Sequence, residues 1–237
     1  MNSLHLSKRL QVVASYLPNS AQFADIGSDH AYLPCYVCLQ DTRARAIAGE
    51  VNEGPYQSAI HEVQQQGLQA RIDVRKGDGL QVIKENEVEQ LTIAGMGATL
   101  IASILEAGKH KLERVSRLIV QPNINAIALR EWFVHNDYVL VAEEIVEEDG
   151  HFYEILVADR QGADQPYTEA EKDKEMYLGP FLMKQRSKAF IRKWEAEAMK
   201  LRRVIRSIQQ ADQIDEGKLK RFEQQLNWIE EAIQGEA

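Results

Sequence analysis

Apolar residues at Leu6, Leu10, Val13 and Leu17 step by 4, 3 and 4, which makes one face of an amphipathic helix over 7–16, closed by Pro18 and Asn19. Short apolar runs then recur at 22–26, 45–51, 71–75, 90–94, 117–121, 139–146 and 152–158, with helical patterning between them. Strands alternating with helices predict an α/β fold built on a seven-stranded, mostly parallel sheet of the Rossmann-like kind. The last two runs are separated only by 147–151, which is too short for a crossover helix and contains the turn pair Asp149-Gly150. They must pair as a hairpin, so the final strand runs antiparallel.

Beyond 161–166, which reads as a linker, the period changes. Phe190, Trp194, Ala198, Leu201, Ile205 and Ile208 step by 4, 4, 3, 4 and 3, and Leu219, Phe222, Leu226, Ile229 and Ile233 step by 3, 4, 3 and 4. Both stripes are heptad-like with a turn at 211–217 between them, predicting a C-terminal helical coiled-coil hairpin preceded by a helix over 168–178. The expected division is therefore a sheet domain at 1–162 and a helical domain at 163–237.

Composition adds a location and a charge asymmetry. Of 237 residues, 44% are hydrophobic and 27% charged, enough apolar material for a core. No apolar run reaches the roughly 18 residues of a membrane span, and 1–17 lacks a signal-peptide core, so a cytoplasmic protein is expected. Cys35 and Cys38 form a single CxxC with no further ligands at suitable spacing; two small, half-buried helix positions are expected, and no metal. The net charge of −8 argues against nucleic acid until it is divided, because 184–206 alone carries nine basic residues against Glu195 and Glu197. A local stripe of Lys188, Arg192, Lys193, Arg202, Arg203 and Arg206 can hold a polyanion on an acidic chain. Lys8 and Arg9, on the first helix, are candidates for phosphates at a site entrance.

The chemistry gathers where strands end. The first strand runs into Asp25-Ile26-Gly27-Ser28-Asp29-His30, at the sheet edge where ligands of open α/β folds bind. One glycine, Gly27, stands where a dinucleotide fingerprint needs three, and the acids Asp25 and Asp29 would repel a pyrophosphate but suit the cationic amino and sulfonium groups of S-adenosylmethionine. Glu50 and Val51 end the second strand, where an acid meets ribose hydroxyls; Asp78-Gly79 follows the third and Gly95-Met96 the fourth. The fifth ends in Gln121-Pro122-Asn123. Those two amides either read a base edge or start a turn and cap the next helix, and the sequence leaves both open.

The strings DIGSDHAYLP, AGMG and LIVQPN, with the C-terminal heptads, resemble the bacterial tRNA (adenine-22-N1)-methyltransferase family over essentially the whole chain. The resemblance implies a class I S-adenosylmethionine-dependent enzyme that methylates N1 of an adenine near the D-stem of tRNA. It places Asp25, Gly27, Asp29, His30, Glu50, Asp78, Gly95 and Met96 around cofactor and base. One departure is Ala98, where the family has a further glycine; its methyl group is expected to crowd the site slightly. Because adenine N1 has a lone pair, no proton need be removed, and catalysis is mainly positioning. Asp29, Gln121 and Asn123 are the expected catalytic residues, with Asp29 stabilising the charge that develops on the base. Ser28 joins the cofactor set. The expected partner is tRNA, bound by a monomer. Two alternatives remain at this stage: a methyltransferase for a small metabolite or protein, and a non-catalytic RNA-binding protein on the same scaffold.

Overall fold

The computed structural model describes residues 2–161, 164–211 and 213–235. The chain divides into two compact units, Met1–Pro166 and Tyr167–Ala237. The boundary expected at 162/163 lies outside the described residues.

The first unit is a seven-stranded sheet. Helix α1 (Lys8–Ser15) precedes β1 (Gln22–Ile26), and α2 (Tyr32–Gln40), β2 (Arg45–Glu50), α3 (Glu53–Gln65) and β3 (Ile72–Lys76) follow. Then come β4 (Gln90–Met96), α4 (Ala98–Ala107), β5 (Arg117–Pro122), α5 (Ile127–His135), β6 (Val139–Glu148) and β7 (His151–Asp159). The strand order is β3-β2-β1-β4-β5-β7-β6. The first five strands are parallel; β7 lies between β5 and β6, antiparallel to both. The order reverses beside β1, and β1 and β4 end at that switch point, where α/β sheets take ligands.

Local chemistry explains the elements. Ser7 caps α1 by accepting a hydrogen bond from Leu10 N. The β6–β7 hairpin turns through Asp149 and Gly150 alone, with φ of 51° and 76°, and Glu148 pairs with His151. Two successive positive φ values are what a two-residue hairpin matched to strand twist requires. Strands β1, β2 and β5 are buried along nearly their whole length and β4 over its first four residues, as expected of strands covered on both faces. Cys35 and Cys38 are fully buried on α2 rather than half-buried, because α2 packs into the core. Burial pushes their thiols up to about 12 and about 11, so neither is a ready thiolate. Ala98 is also buried, at the first position of α4.

In the second unit the helix expected over 168–178 begins later. It is α6 (Lys172–Leu178), and α7 (Pro180–Gln185) follows directly, started by a proline at its first position. The long helices are α8 (Lys188–Gln209) and α9 (Glu216–Gln234), capped by Ser187 and Asp215. They pack antiparallel, with Arg202 donating to Glu230 and Gln209 to Glu223. Of the first stripe Phe190, Trp194, Ala198 and Ile205 are buried; of the second only Ile229 is. The hairpin therefore has an aromatic core at one end, where Tyr177, Trp194, Trp228 and Phe190 meet at 5.1–6.2 Å between ring centroids, while toward the turn Ile205 is buried in a seam otherwise half-exposed.

Candidate active site at the strand ends

Asp25 lies beneath the loop that follows β1. Its carboxylate accepts from Ser28 Oγ and from Thr92 Oγ1, each at 2.6 Å, and all three residues are buried. Gly27 N and Ser28 N both donate to Gly49 O at 2.9 and 3.1 Å, stitching the loop to β2. Asp25 and Ser28, expected among the cofactor contacts, thus have their polar atoms committed inside the protein. Thr92 was missed by sequence reasoning, although a lone hydroxyl inside the apolar run Leu91–Ala94 was the available signal.

Burial pushes the Asp25 carboxyl up to about 6, against the pull of the Ser28 and Thr92 hydroxyls. The folded state then holds a proton that the unfolded chain, at its ordinary value of 3.8, has released. That contribution to stability is complete below about pH 4 and is lost as pH rises through about 6. In urea unfolding, wild type is expected to lose about 2 kcal/mol relative to Asp25→Asn between pH 4.5 and 7. Parallel stability curves for the two proteins would refute this account of Asp25.

The next residues are backbone outliers. Asp29, His30 and Ala31 take φ of 47°, 72° and 58°, three consecutive left-handed residues without a glycine among them, following Gly27 at 67°. Such conformations cost about 1–3 kcal/mol each and persist only where neighbours hold them. Glu50 lies beside this run: its burial keeps the carboxyl above the ordinary range, against the pull of the nearby backbone N–H groups of His30 and Asp29. One of its oxygens, Glu50 Oε1, is buried without a hydrogen-bond partner. The Asp29 carboxylate is 70% exposed and lies 3.4 Å from His30 Nε2. The His30 ring stacks on Tyr32 with centroids 5.4 Å apart.

On the β2 and β3 side, Val51 is 54% exposed and Asp78 is an exposed N-cap of a 3-10 turn over Gly79–Val82. An unpartnered acidic oxygen suits the hydroxyls of a ribose, and an exposed apolar Val51 beside it suits the face of an adenine. No cationic group stands in the loop to take a pyrophosphate. The residues fit a nucleoside with a cationic tail.

On the β4 and β5 side, Met96 lies across Gly27: a Cβ added there would clash with Met96 Cε. Asn123 is exposed, and its Nδ2 donates to Gly95 O at 2.8 Å. It does not cap α5, whose N-cap is Ala126 without a side-chain bond. Gln121 is fully buried and hydrogen-bonded at both ends of its amide, so it is not available to a base edge. Arg9, expected on phosphates, donates to Gln121 Oε1 and lies over the Tyr153 ring at 5.4 Å. Lys8 is exposed, with only its backbone N–H engaged, by Glu148.

In the second unit Lys188, Arg192, Arg202, Arg203 and Arg206 are exposed. Arg202 pairs with Glu230 and Lys193 lies over the Trp194 ring at 4.2 Å. Among the described residues no cluster of His, Cys, Asp and Glu could hold a metal ion, and no helix is long and apolar enough to cross a membrane.

Residues 23–231 match the family model described as tRNA (adenine(22)-N(1))-methyltransferase. The chain is 48% identical to the tRNA (adenine(22)-N(1))-methyltransferase of Bacillus subtilis over 98% of its own length and 99% of the relative's. The crystal structure of the B. subtilis m1A22 tRNA methyltransferase superposes with a TM-score of 0.90 at 47% identity, covering 97% of this chain and 99% of that one. A Streptococcus pneumoniae structure in complex with S-adenosyl-L-methionine superposes at 0.85 with 42% identity, covering 97% and 100%.

Proposed function

Because the chain belongs to the tRNA (adenine(22)-N(1))-methyltransferase family, we propose a division of labour in which the first unit binds S-adenosylmethionine and carries the reaction and the second grips tRNA. The enzyme transfers the methyl group of S-adenosylmethionine to N1 of adenine 22 in tRNA. The observation that carries this is near-half identity, end to end, with the B. subtilis enzyme; the two alternatives left open by the sequence lose their support with it. When bound, the cofactor supplies an electrophilic methyl group on a cationic sulfur.

The chain's own residues do the rest. Glu50, through its unpartnered oxygen, holds ribose hydroxyls, with Val51 against the adenine and Asp78 near its rim. Gly27 and Gly95 let backbone approach the ligand closely. Asp29 is the catalytic carboxylate: exposed on a left-handed stretch of the loop, it faces the positive charge that the acceptor base gains as the sulfonium loses it. No general base is needed, since the attacking nitrogen has a free lone pair. His30, stacked on Tyr32, offers a polar edge beside Asp29.

Lys8 and the outer face of α8 take phosphates. Such contacts position RNA without reading sequence and weaken steeply with salt. Replacing Lys188, Arg203 and Arg206 together by alanine is expected to lower tRNA affinity about 10- to 100-fold and to reduce the slope of log affinity against log salt by about 2 to 3. Cofactor affinity should not change. Fluorescence anisotropy with labelled tRNA across a salt series reads both quantities, and an unaltered slope would place the RNA elsewhere. The protein acts as a monomer in the cytoplasm in this reading. The direct test is methyl transfer from labelled S-adenosylmethionine to unmodified tRNA transcripts. 1-Methyladenosine in the nucleoside digest is the expected product; label in another nucleoside would overturn the assignment.

A further inference from the structure

A buried amide whose two ends cannot be exchanged sits at the end of β5. Gln121 Oε1 accepts from Arg9 Nη1 at 2.7 Å and from Gly95 N at 3.2 Å. Its Nε2 donates to Pro122 O at 2.9 Å and to Asn123 Oδ1 at 3.3 Å. Asn123 donates from Nδ2 to Gly95 O and from its backbone N–H to Met96 O, at 2.8 and 2.7 Å. Both backbone polar groups of Gly95 are therefore held by side chains at the end of β5. The sheet ladder cannot hold them, because the β4–β5 register shifts between Ala94 and Met96 and Gly95 takes a φ of 80°.

A primary amide is nearly symmetric in shape, so sterics alone do not decide which end faces Gly95. Arg9 decides it. Turning the amide over would set its NH2 against the guanidinium and against Gly95 N–H, and its oxygen against Pro122 O and Asn123 Oδ1. Arg9 is itself steadied by the Tyr153 ring. What the amide controls is the segment whose next residue, Met96, lies across Gly27 in the opposing loop.

We infer that Arg9 is a positioning residue for methyl transfer: through Gln121 it sets the Gly95–Met96 segment against the Gly27 loop, and so aligns acceptor with donor. This rests on the tRNA methyltransferase reading of the site. In-line displacement tolerates little misalignment, and an error of about 1 Å from a remote change can cost on the order of 100-fold in rate. The role differs from a phosphate contact, which would bind tRNA without affecting the bound complex's rate.

Steady-state kinetics and tRNA binding with Arg9→Ala, Arg9→Lys, Gln121→Ala and the double alanine variant separate the two. Arg9→Ala is expected to lower kcat about 10- to 100-fold and to leave the KM for tRNA and its salt dependence within about twofold of wild type. Arg9→Lys, which keeps a donor toward Gln121 Oε1, should recover most of the loss. Adding Arg9→Ala to Gln121→Ala should cost nothing further, as for two residues acting in series. A raised KM with kcat retained and a salt slope smaller by about 1 would overturn the inference in favour of a phosphate contact. So would effects of the two alanine substitutions that multiply. If Arg9→Ala unfolds, the lysine variant and Gln121→Ala carry the test: a kcat loss in Gln121→Ala without a tRNA-binding loss supports it, and an unchanged kcat overturns it. Wild type in the same assay checks the underlying reading, since absence of 1-methyladenosine there sinks both, whereas its presence with normal kcat in Arg9→Ala sinks this inference alone.

Discussion

Replacing Glu50 by alanine is expected to weaken S-adenosylmethionine binding by about 100-fold, which corresponds to about 2.7 kcal/mol. Two contributions add. The backbone N–H groups of Asp29 and His30, in a run of three left-handed residues, lose the carboxylate beside them. The ribose also loses the oxygen that now lies buried without a partner. Glu50→Gln keeps the side chain's shape and a carbonyl or amide for the ribose, so a loss of only about tenfold is expected for it. Calorimetric titration of the cofactor into the three proteins measures both. If Glu50→Ala binds within threefold of wild type, the assignment of Glu50 is wrong.

Arg130→Ala is expected to be the most destabilising single change away from the site. Arg130 on α5 is fully buried, as is Glu143 on β6, and it donates to Glu143 Oε1 at 2.7 Å and to Glu154 Oε2 on β7 at 2.6 Å. Removing one partner of a buried ion pair leaves an uncompensated charge and costs about 3–5 kcal/mol. For a chain of this size that lowers the thermal midpoint by about 6–20 °C. Replacing the whole triad, as Arg130→Met with Glu143→Leu and Glu154→Leu, should return stability to within about 1–2 kcal/mol of wild type or above it, because desolvation of the ions is then removed as well. Thermal scans of the two variants decide between this and a triad of no consequence, which would leave Arg130→Ala within 2 °C.

The architecture was legible because parallel strands are apolar throughout and the one reversal is announced by Asp149-Gly150. The ends of those strands located Gly27, Glu50, Asp78, Gly95 and Gln121 at one side of the sheet, since chain order fixes which end each strand presents. What side chains do there was less legible. Gln121 looked like a reader of bases because an amide can donate and accept; its partner Arg9 is 112 positions away, and no local pattern links them. Asp25 looked like a counter-charge for the cofactor, yet it is enclosed by Ser28 and by Thr92 from a strand 67 positions later. The left-handed run at Asp29–Ala31 contains no glycine, so propensity gave no sign of it. Arg130 did leave a trace, as a cation between Leu129 and Trp132 on an apolar helix face, but its meaning needed Glu154, itself set in the apolar run of β7. In the second unit the heptads placed both long helices and overstated their mutual burial, since α9 contributes only Ile229 to the fully buried set.

The position of β7 between β5 and β6 has a consequence for how these molecules coexist at high concentration. It leaves β6 and β3 as the outer strands of the sheet, each with a row of backbone groups that another chain could pair with. Both are poor templates. The outer half of β6 carries Glu144, Glu147 and Glu148, and its ladder is broken by a shift between Leu140 and Ala142. Strand β3 is five residues long and bears Asp73, Arg75 and Lys76. A neighbouring copy aligned on β6 would bring its own carboxylates against these. Growth of the sheet from one molecule into the next is opposed by charge at one rim and by shortness at the other.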